Sequence, residues 1–164
     1  MSHYIRVIIA SEEGIQTLAD AWHAAHVLRL EQGFCLIPLT DELHDSMLKQ
    51  HPNVSGNEQD AFILLSPAIQ HVLSNCSQSG PIAYIETDYF GGEGSQSAIL
   101  YEGGSIKIGP RQSKWPGAIN AILRELGVKS SLPYDRFDAL GLGNFRNNDD
   151  ILEVIENDSE ENNL

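Results

Sequence analysis

Apolar and polar positions alternate along the chain in short blocks, which predicts several strands and helices of modest length. Residues 4–9 form a β-branched run typical of a strand. Ser11, followed by two glutamates, is typical of a helix start. Apolar positions at helical spacing then continue until Gly33, and residues 34–39 form a second apolar strand candidate. The opening of the chain therefore predicts a strand, a helix and a strand.

The next forty residues predict two further helices around a polar segment. One short helix is expected over residues 40–49, and another over residues 66–75, where Ser66-Pro67 supplies a cap and a first helical position. Residues 51–60 contain the proline, glycine and amide side chains of a surface loop. Residues 61–65 are compatible with either a strand or a helix start, because so short an apolar run is ambiguous.

Residues 81–110 are the most informative stretch of the sequence. They predict consecutive β-strands with a glycine-rich connector at residues 91–96 and a second turn at Gly103-Gly104. Glu86 and Asp88 alternate with less polar neighbours, so one face of the first strand carries two acids that lead into the glycines.

The remaining chain predicts a clear helix at residues 116–126, stopped by Gly127, and one helical turn at residues 135–140. A short amphipathic helix is expected around Ile151, and residues 157–164 are expected to form a disordered acidic tail.

The pattern as a whole predicts an α+β fold. Tight turns between the later strands favour antiparallel pairing, and the helices are expected to cover one face of a mostly antiparallel sheet in two layers. Residues 1–156 would form this single domain, and residues 157–164 would lie outside it.

Charge is distributed unevenly. The net charge is −13, and residues 147–164 hold seven of the 23 acids but none of the ten lysines and arginines. The bases are scattered elsewhere, whereas nucleic-acid binding needs them clustered. An acidic surface also disfavours anionic membranes and favours a basic protein partner.

The compartment is expected to be the cytoplasm. The amino terminus lacks the basic and apolar segments of a signal peptide, and no apolar run approaches the length of a membrane span. Cys35 and Cys76 are expected to be reduced thiols rather than a disulfide.

Several chemistries are disfavoured. A phosphate site is improbable because another strand follows the glycines and no lysine lies within it. His23 and His26 stand three apart, but no zinc signature accompanies them, so no metal and no cofactor is predicted. Glu86 and Asp88 are close enough to act as an acid–base pair or to hold a hard cation, although paired acids on a strand face are more often simply solvated.

Three segments together resemble a family of small bacterial proteins: Tyr89-Phe90-Gly91-Gly92-x-Gly-x-Gln96, the helix that begins Ile119-Asn120, and Phe137-Asp138-Ala139-Leu140-Gly141-Leu142-Gly143. The resemblance covers mainly residues 81–150 and implies no catalytic residues. Some bacterial proteins of this acidic, compact kind look like immunity proteins that neutralise a toxin. This analogy rests on size and charge and not on matching residues.

The leading hypothesis is therefore an acidic cytoplasmic bacterial binding protein that is immunity-like and engages a basic partner. Its partner-binding residues would be Glu86, Asp88, Tyr89, Glu93 and Gln96. A small metal-assisted or acid–base enzyme centred on Glu86 and Asp88 is one alternative. A homodimer formed through an edge of the sheet is another.

Overall fold

The computed structural model describes residues 2–114 and 117–163, and within them it contains one six-stranded antiparallel sheet. The order of the strands is β2-β3-β1-β4-β5-β6. Their bounds are β1 Arg6–Ser11, β2 Leu28–Arg29, β3 Phe34–Pro38, β4 Ile82–Phe90, β5 Glu93–Glu102 and β6 Ser105–Ser113.

The helices of the described residues lie before, between and after these strands. They are α1 Glu12–Ala21, α2 Asp41–Gln50, α3 Pro67–Cys76, α4 Ala118–Leu126, α5 Arg136–Ala139 and α6 Asn148–Asn162. The predicted α+β class with an antiparallel sheet is confirmed. No helix in this part of the chain is both long and apolar enough to cross a membrane.

Both faces of the sheet are covered, which corrects the prediction of two layers. Side chains of one strand alternate between two cores, so that Ile8 packs under helices α1, α2 and α3 while Val7 and Ile9 pack under α4 and the start of α6. We call the side covered by α1, α2 and α3 the first face, and the side covered by α4 and the start of α6 the second face. A strand buried on both sides needs apolar residues at consecutive positions, and residues 5–10 are all apolar except Arg6. The fold therefore has three layers.

The predicted helix at residues 11–33 is wrong beyond its first ten residues. Ser11 caps α1 as predicted, with its hydroxyl accepting from the amide of Gly14, but the helix ends at Ala21 and Trp22 is extended. Leu28 and Arg29 instead pair with β3 as an edge strand. Sheet pairing here overrides the helical spacing of apolar residues, as tertiary context commonly does.

The middle of the sequence behaves largely as predicted. Strand β3, helices α2 and α3, the turn at Gly103-Gly104 and the end of α4 at Gly127 all lie within one or two residues of their expected positions. Residues 61–65 form neither a strand nor a helix. The predicted start of α4 at Pro116 lies outside the described residues.

The C-terminal helix is longer than predicted. Asn147 caps α6 by accepting from the amide of Asp150, and acids in the first turn suit the positive end of the helix. The helix then continues through Asn162, where the sequence predicts disordered chain from residue 157. Every residue described after Ile155 is exposed. This end of α6 is a solvated acidic helix rather than part of the core.

Candidate functional site

Glu86 is a buried structural carboxylate rather than part of an exposed acidic face. Its side chain lies on the first face and is 5% exposed. Its oxygens accept from the backbone amides of Ile63 and Leu64, at 2.6 and 3.0 Å, and from the hydroxyl of Tyr84 at 2.6 Å. These contacts hold the loop at residues 61–65 against the sheet, which is why that segment needs no regular structure of its own.

The hydroxyl of Tyr84 stays protonated and can donate to this carboxylate. Burial, followed by the neighbouring charge of Glu86, raises the pKa of Tyr84 well above its ordinary value of 10.0. Because all three donors are in place, the Glu86 carboxylate is not positioned to hold a metal ion or to transfer a proton to a substrate. The prediction that Glu86 contributes to a partner-binding surface is corrected by this geometry.

The other two predicted acids stand at the exposed end of the β4–β5 hairpin. Asp88 and Glu93 are exposed and lie on the same side of the hairpin, because Phe90, which faces the same way as Asp88, pairs directly with Glu93. The Phe90 side chain is 81% exposed. We call Asp88, Phe90 and Glu93 the hairpin tip.

The glycines of this segment are explained by the hairpin itself. Only Gly91 and Gly92 form the turn, with φ of 62° and 83°, which is the geometry of a two-residue type I′ turn. At Gly94 a Cβ atom would lie 1.9 Å from the carbonyl oxygen of Asp88. The predicted wide connector at residues 91–96 is therefore a tight turn followed by strand.

Tyr89 and Gln96 lie on the opposite side of the hairpin and anchor it to α4. The Gln96 side-chain oxygen accepts from the amide of Ile119 at 2.9 Å, and its nitrogen donates to the Tyr89 hydroxyl at 3.1 Å. Tyr89 in turn donates to the carbonyl of Lys114 at 3.0 Å. An amide side chain that caps a helix start satisfies a backbone donor that the helix itself leaves unpaired. The five predicted partner-binding residues are thus divided between two faces of the sheet.

A cavity of about 270 Å³ opens beside Tyr89 and Gln96 on the second face. The three segments singled out in the sequence meet there, since α4 contributes Ile119 and Asn120 and the α5 region contributes Phe137 and Asp138. The remaining lining residues are His3, Thr87 and Asp135, together with the two anchoring side chains.

His3 is the unpredicted member of this cavity. Its Nδ1 lies 2.7 Å from the Thr87 hydroxyl, which also accepts from the amide of Ile5. Burial lowers the pKa of His3 from its ordinary value of 6.5, against a smaller opposing effect of the carbonyl groups of Leu142 and Phe145. The ring is accordingly neutral in the fold near neutral pH. No motif in the sequence marks His3, because strand pairing alone brings residue 3 beside residue 89.

Asp135 and Asp138 form the acidic side of the cavity. Asp135 caps α5 by accepting from the amide of Asp138, and its other oxygen accepts from the Asn120 side chain at 3.0 Å. Neither aspartate forms an ion pair with a basic residue of the described chain. With Ile119 and Phe137 as apolar walls, the cavity can accept a cationic group carried on an apolar stem.

The two histidines that stand three apart in the sequence are not on a helix. His23 and His26 follow the end of α1, and no group of three or more potential metal-ligating side chains occurs among the residues that the structure describes. His51 and His71 are neighbours, with ring centres 4.9 Å apart, and Trp22 packs against His51.

Comparisons with family models, curated proteins and solved structures found no match to this chain. The candidate site therefore rests on its own geometry: an exposed acidic hairpin tip on one face, and an acidic cavity behind the same hairpin on the other.

Proposed function

We propose that this is an acidic cytoplasmic binding protein of bacterial, immunity-like type that engages a basic protein partner through the hairpin tip. The observation that carries the proposal is Phe90, a large aromatic side chain 81% exposed at the end of the β4–β5 hairpin, with exposed Asp88 and Glu93 on the same side. Exposed aromatic residues beside charges are typical of the few positions that dominate binding energy in protein interfaces.

The surrounding chemistry supports a basic partner. The net charge is −13, and α6 presents a run of acids without a single lysine or arginine. Such a field accelerates encounter with a positively charged surface and repels acidic proteins. Cys35 and Cys76 are both free thiols, which suits a reducing compartment such as the cytoplasm.

The acidic cavity offers the same partner a second contact. Tyr89 lies between Asp88 and Phe90 in the strand, and its side chain lines the cavity. A lysine or arginine side chain of the partner could place its alkyl stem against Phe137 and its charge beside Asp135 and Asp138. In this proposal the partner surrounds the end of the hairpin rather than contacting one flat face.

The proposal is tested by affinity capture from the protein's own host cells, followed by purification of the captured protein and direct measurement of its binding. We expect a basic protein whose affinity falls steeply between low and high salt. Phe90→Ala should weaken binding at least tenfold, and the double variant Asp88→Asn, Glu93→Gln should reduce the salt dependence.

A matched control is available in Glu13→Gln with Glu31→Gln, which removes the same charge from two exposed positions elsewhere. Asp138→Asn tests the contact at the cavity. If the captured partner is acidic, or if the control pair weakens binding as much as the hairpin variants do, the proposed surface is wrong.

The geometry gives little support to the two alternative functions, an enzyme and a homodimer. The enzyme hypothesis was motivated by Glu86 and Asp88 as a pair, yet Glu86 is buried with its oxygens occupied while Asp88 is exposed. For dimerisation, the long edge strand β6 contains Lys107, Pro110 and Arg111 and pairs irregularly with β5. Charged residues, proline and bulges are the usual protection of an edge against pairing with a second copy.

A further inference from the structure

Arg6 is a buried arginine in which two of the three guanidinium nitrogens lack a hydrogen-bond acceptor. The residue is 9% exposed, and its Nε and Nη2 atoms have no partner. Its guanidinium carbon lies 3.8 Å above the centre of the Tyr4 ring, and no ion pair with a carboxylate occurs among the described residues. A buried guanidinium left in this condition is strongly unfavourable, so an acceptor for it is expected.

The nearest structural candidate, Glu86, does not supply that acceptor. Arg6 and Glu86 are directly opposite each other on β1 and β4, and their side chains share the first face. The carboxylate of Glu86 is nevertheless turned toward Ile63, Leu64 and Tyr84. Its charge offsets that of Arg6 across the strands without providing a hydrogen bond.

Arg6 lines a cavity of about 220 Å³ at the start of β1. The N-termini of two helices border this cavity: α2 begins there with Thr40 and Asp41, and α6 begins there with Asn147 and Asn148. The first amides of a helix have no partner within the helix, and the helix dipole places partial positive charge at this end. Two helix starts and one guanidinium therefore converge on one small space.

Asn148 fixes this arrangement. Its side-chain oxygen accepts from the amide of Arg6 at 2.9 Å, and its nitrogen donates to the carbonyls of Arg6 and Leu39 at 3.1 and 3.3 Å. The start of α6 is thereby held against the backbone of Arg6, which lines the cavity. This part of the cavity wall is therefore preorganised.

We propose that this cavity binds a small monoanionic carboxylate, with the carboxylate group beside Arg6 and its carbon skeleton against Leu64 and Leu152. The planar guanidinium matches a carboxylate, and the two half-buried leucines favour an apolar body. Asp41 and Asp149 line the same cavity, and their charges disfavour a doubly charged phosphate.

The carboxylate could belong to a free organic acid or to the end of a polypeptide, because both present the same group. Both sources are tested by following the thermal unfolding midpoint and the Nε–H resonance of Arg6 in NMR spectra. The probes are acetate, butyrate and benzoate for free acids, and a short acetylated peptide with a free carboxyl end compared with its C-terminal amide. Sodium phosphate at the same ionic strength is the control anion.

We expect at least one carboxylate, but not phosphate, to raise the midpoint with increasing concentration and to shift the Arg6 resonance. Arg6→Met should remove both responses. Without added carboxylate, Arg6→Met should also unfold at a higher temperature than the parent protein, because it replaces an unpaired buried charge by an apolar side chain of similar length. Asp41→Asn and Asp149→Asn should tighten carboxylate binding severalfold by removing repulsion.

The matched control is Arg124→Met, an exposed arginine at the end of α4, which should alter none of these measurements. The proposal is overturned if no carboxylate affects the parent protein, or if the response persists in Arg6→Met. It is also overturned if Asp41→Asn or Asp149→Asn lowers the midpoint and abolishes the Arg6 resonance shift, since one of those aspartates would then be the acceptor in solution.

Discussion

Glu86 and Arg6 face each other across β4 and β1, yet their surroundings differ completely. Each is an ionisable residue, each is buried and each lies on the first face of the sheet. Glu86 accepts hydrogen bonds from three groups, whereas Arg6 has two donor nitrogens without any acceptor. Burial of a charge therefore does not by itself identify a binding site.

Glu86 has a structural role, whereas the structure gives Arg6 no such role. The protein supplies every partner that Glu86 needs, so Glu86 stabilises the native state without a ligand. The Arg6 guanidinium lies over the ring of Tyr4, and Arg6 lines a cavity. A satisfied buried charge indicates structure, and an unsatisfied one indicates a missing acceptor.

The largest effect is expected from Glu86→Ala. It would leave the amides of Ile63 and Leu64 and the hydroxyl of Tyr84 without an acceptor, and it would remove the only buried negative charge near Arg6 among the described residues. We expect a loss of about 3–5 kcal/mol in the free energy of unfolding. Urea denaturation measures it, with Tyr84→Phe as a milder control that removes one donor only. A loss below about 1 kcal/mol would show that the loop at residues 61–65 does not depend on this carboxylate.

Gln96 is a neutral side chain that, like Glu86, accepts a hydrogen bond from a backbone amide, and its removal should cost less stability. Gln96→Ala removes the acceptor for the start of α4 and the partner of the Tyr89 hydroxyl, so we expect a loss of about 1–2 kcal/mol in thermal or urea unfolding. Gln96→Glu keeps oxygen acceptors at a helix start that favours negative charge, and it should retain most of the stability. Equal losses in the two variants would contradict a capping role.

His3, a titratable residue on the second face, should make the stability of the protein depend on pH. Its pKa is lowered in the fold, chiefly by burial, so the unfolded chain takes up a proton at higher pH than the folded protein does. Stability contributed by neutral His3 is present above pH 6.5 and is lost as the pH falls through the folded pKa. The free energy of unfolding should decline less between pH 7 and pH 5 in His3→Gln than in the parent protein. Identical pH dependence in both would show that His3 is not protonated differently on folding.

The smallest effect is expected at the end of α6. Residues 157–163 are exposed and carry no core contact, so removing residues 157–164 should change the free energy of unfolding by less than about 0.5 kcal/mol. Removing residues 149–164 also deletes Ile151, which is fully buried, and should destabilise the protein clearly in the same assay. A large loss from the shorter deletion would show that the acidic end of the helix is docked in solution.

Sequence pattern predicted elements whose signals are local. The caps at Ser11 and Thr40, the paired glycines at both hairpin turns and the stop at Gly127 all act within a few residues, and the structure has these boundaries. Ser66 stands at the predicted N-cap position of α3, but its hydroxyl forms no capping hydrogen bond. The third layer is not evident from the sequence. A short continuous apolar stretch such as residues 7–10 fits a strand buried on both faces, but periodicity alone does not distinguish it from other buried segments.

The site was harder to predict, for the same reason. Alternation correctly places Glu86 and Asp88 on one side of β4 but does not reveal that the loop at residues 61–65 covers only Glu86. Arg6 and His3 gave no signal at all. The contacts that place these two residues at a cavity are made with residues more than eighty positions away in the chain.

The hydrogen bonds of Asn148 have a consequence for the order of assembly. They join residue 6 to residue 148 across a separation of 142 positions, so the cavity beside Arg6 is completed only after residue 148 has been synthesised and has docked on β1. Contacts this distant in sequence form slowly, because a long loop must close before they contribute. A chain cut short before Asn148 would expose a sheet with Arg6 uncovered and no second helix start beside it. Binding of a carboxylate at Arg6 would then report that the start of α6 had docked beside β1.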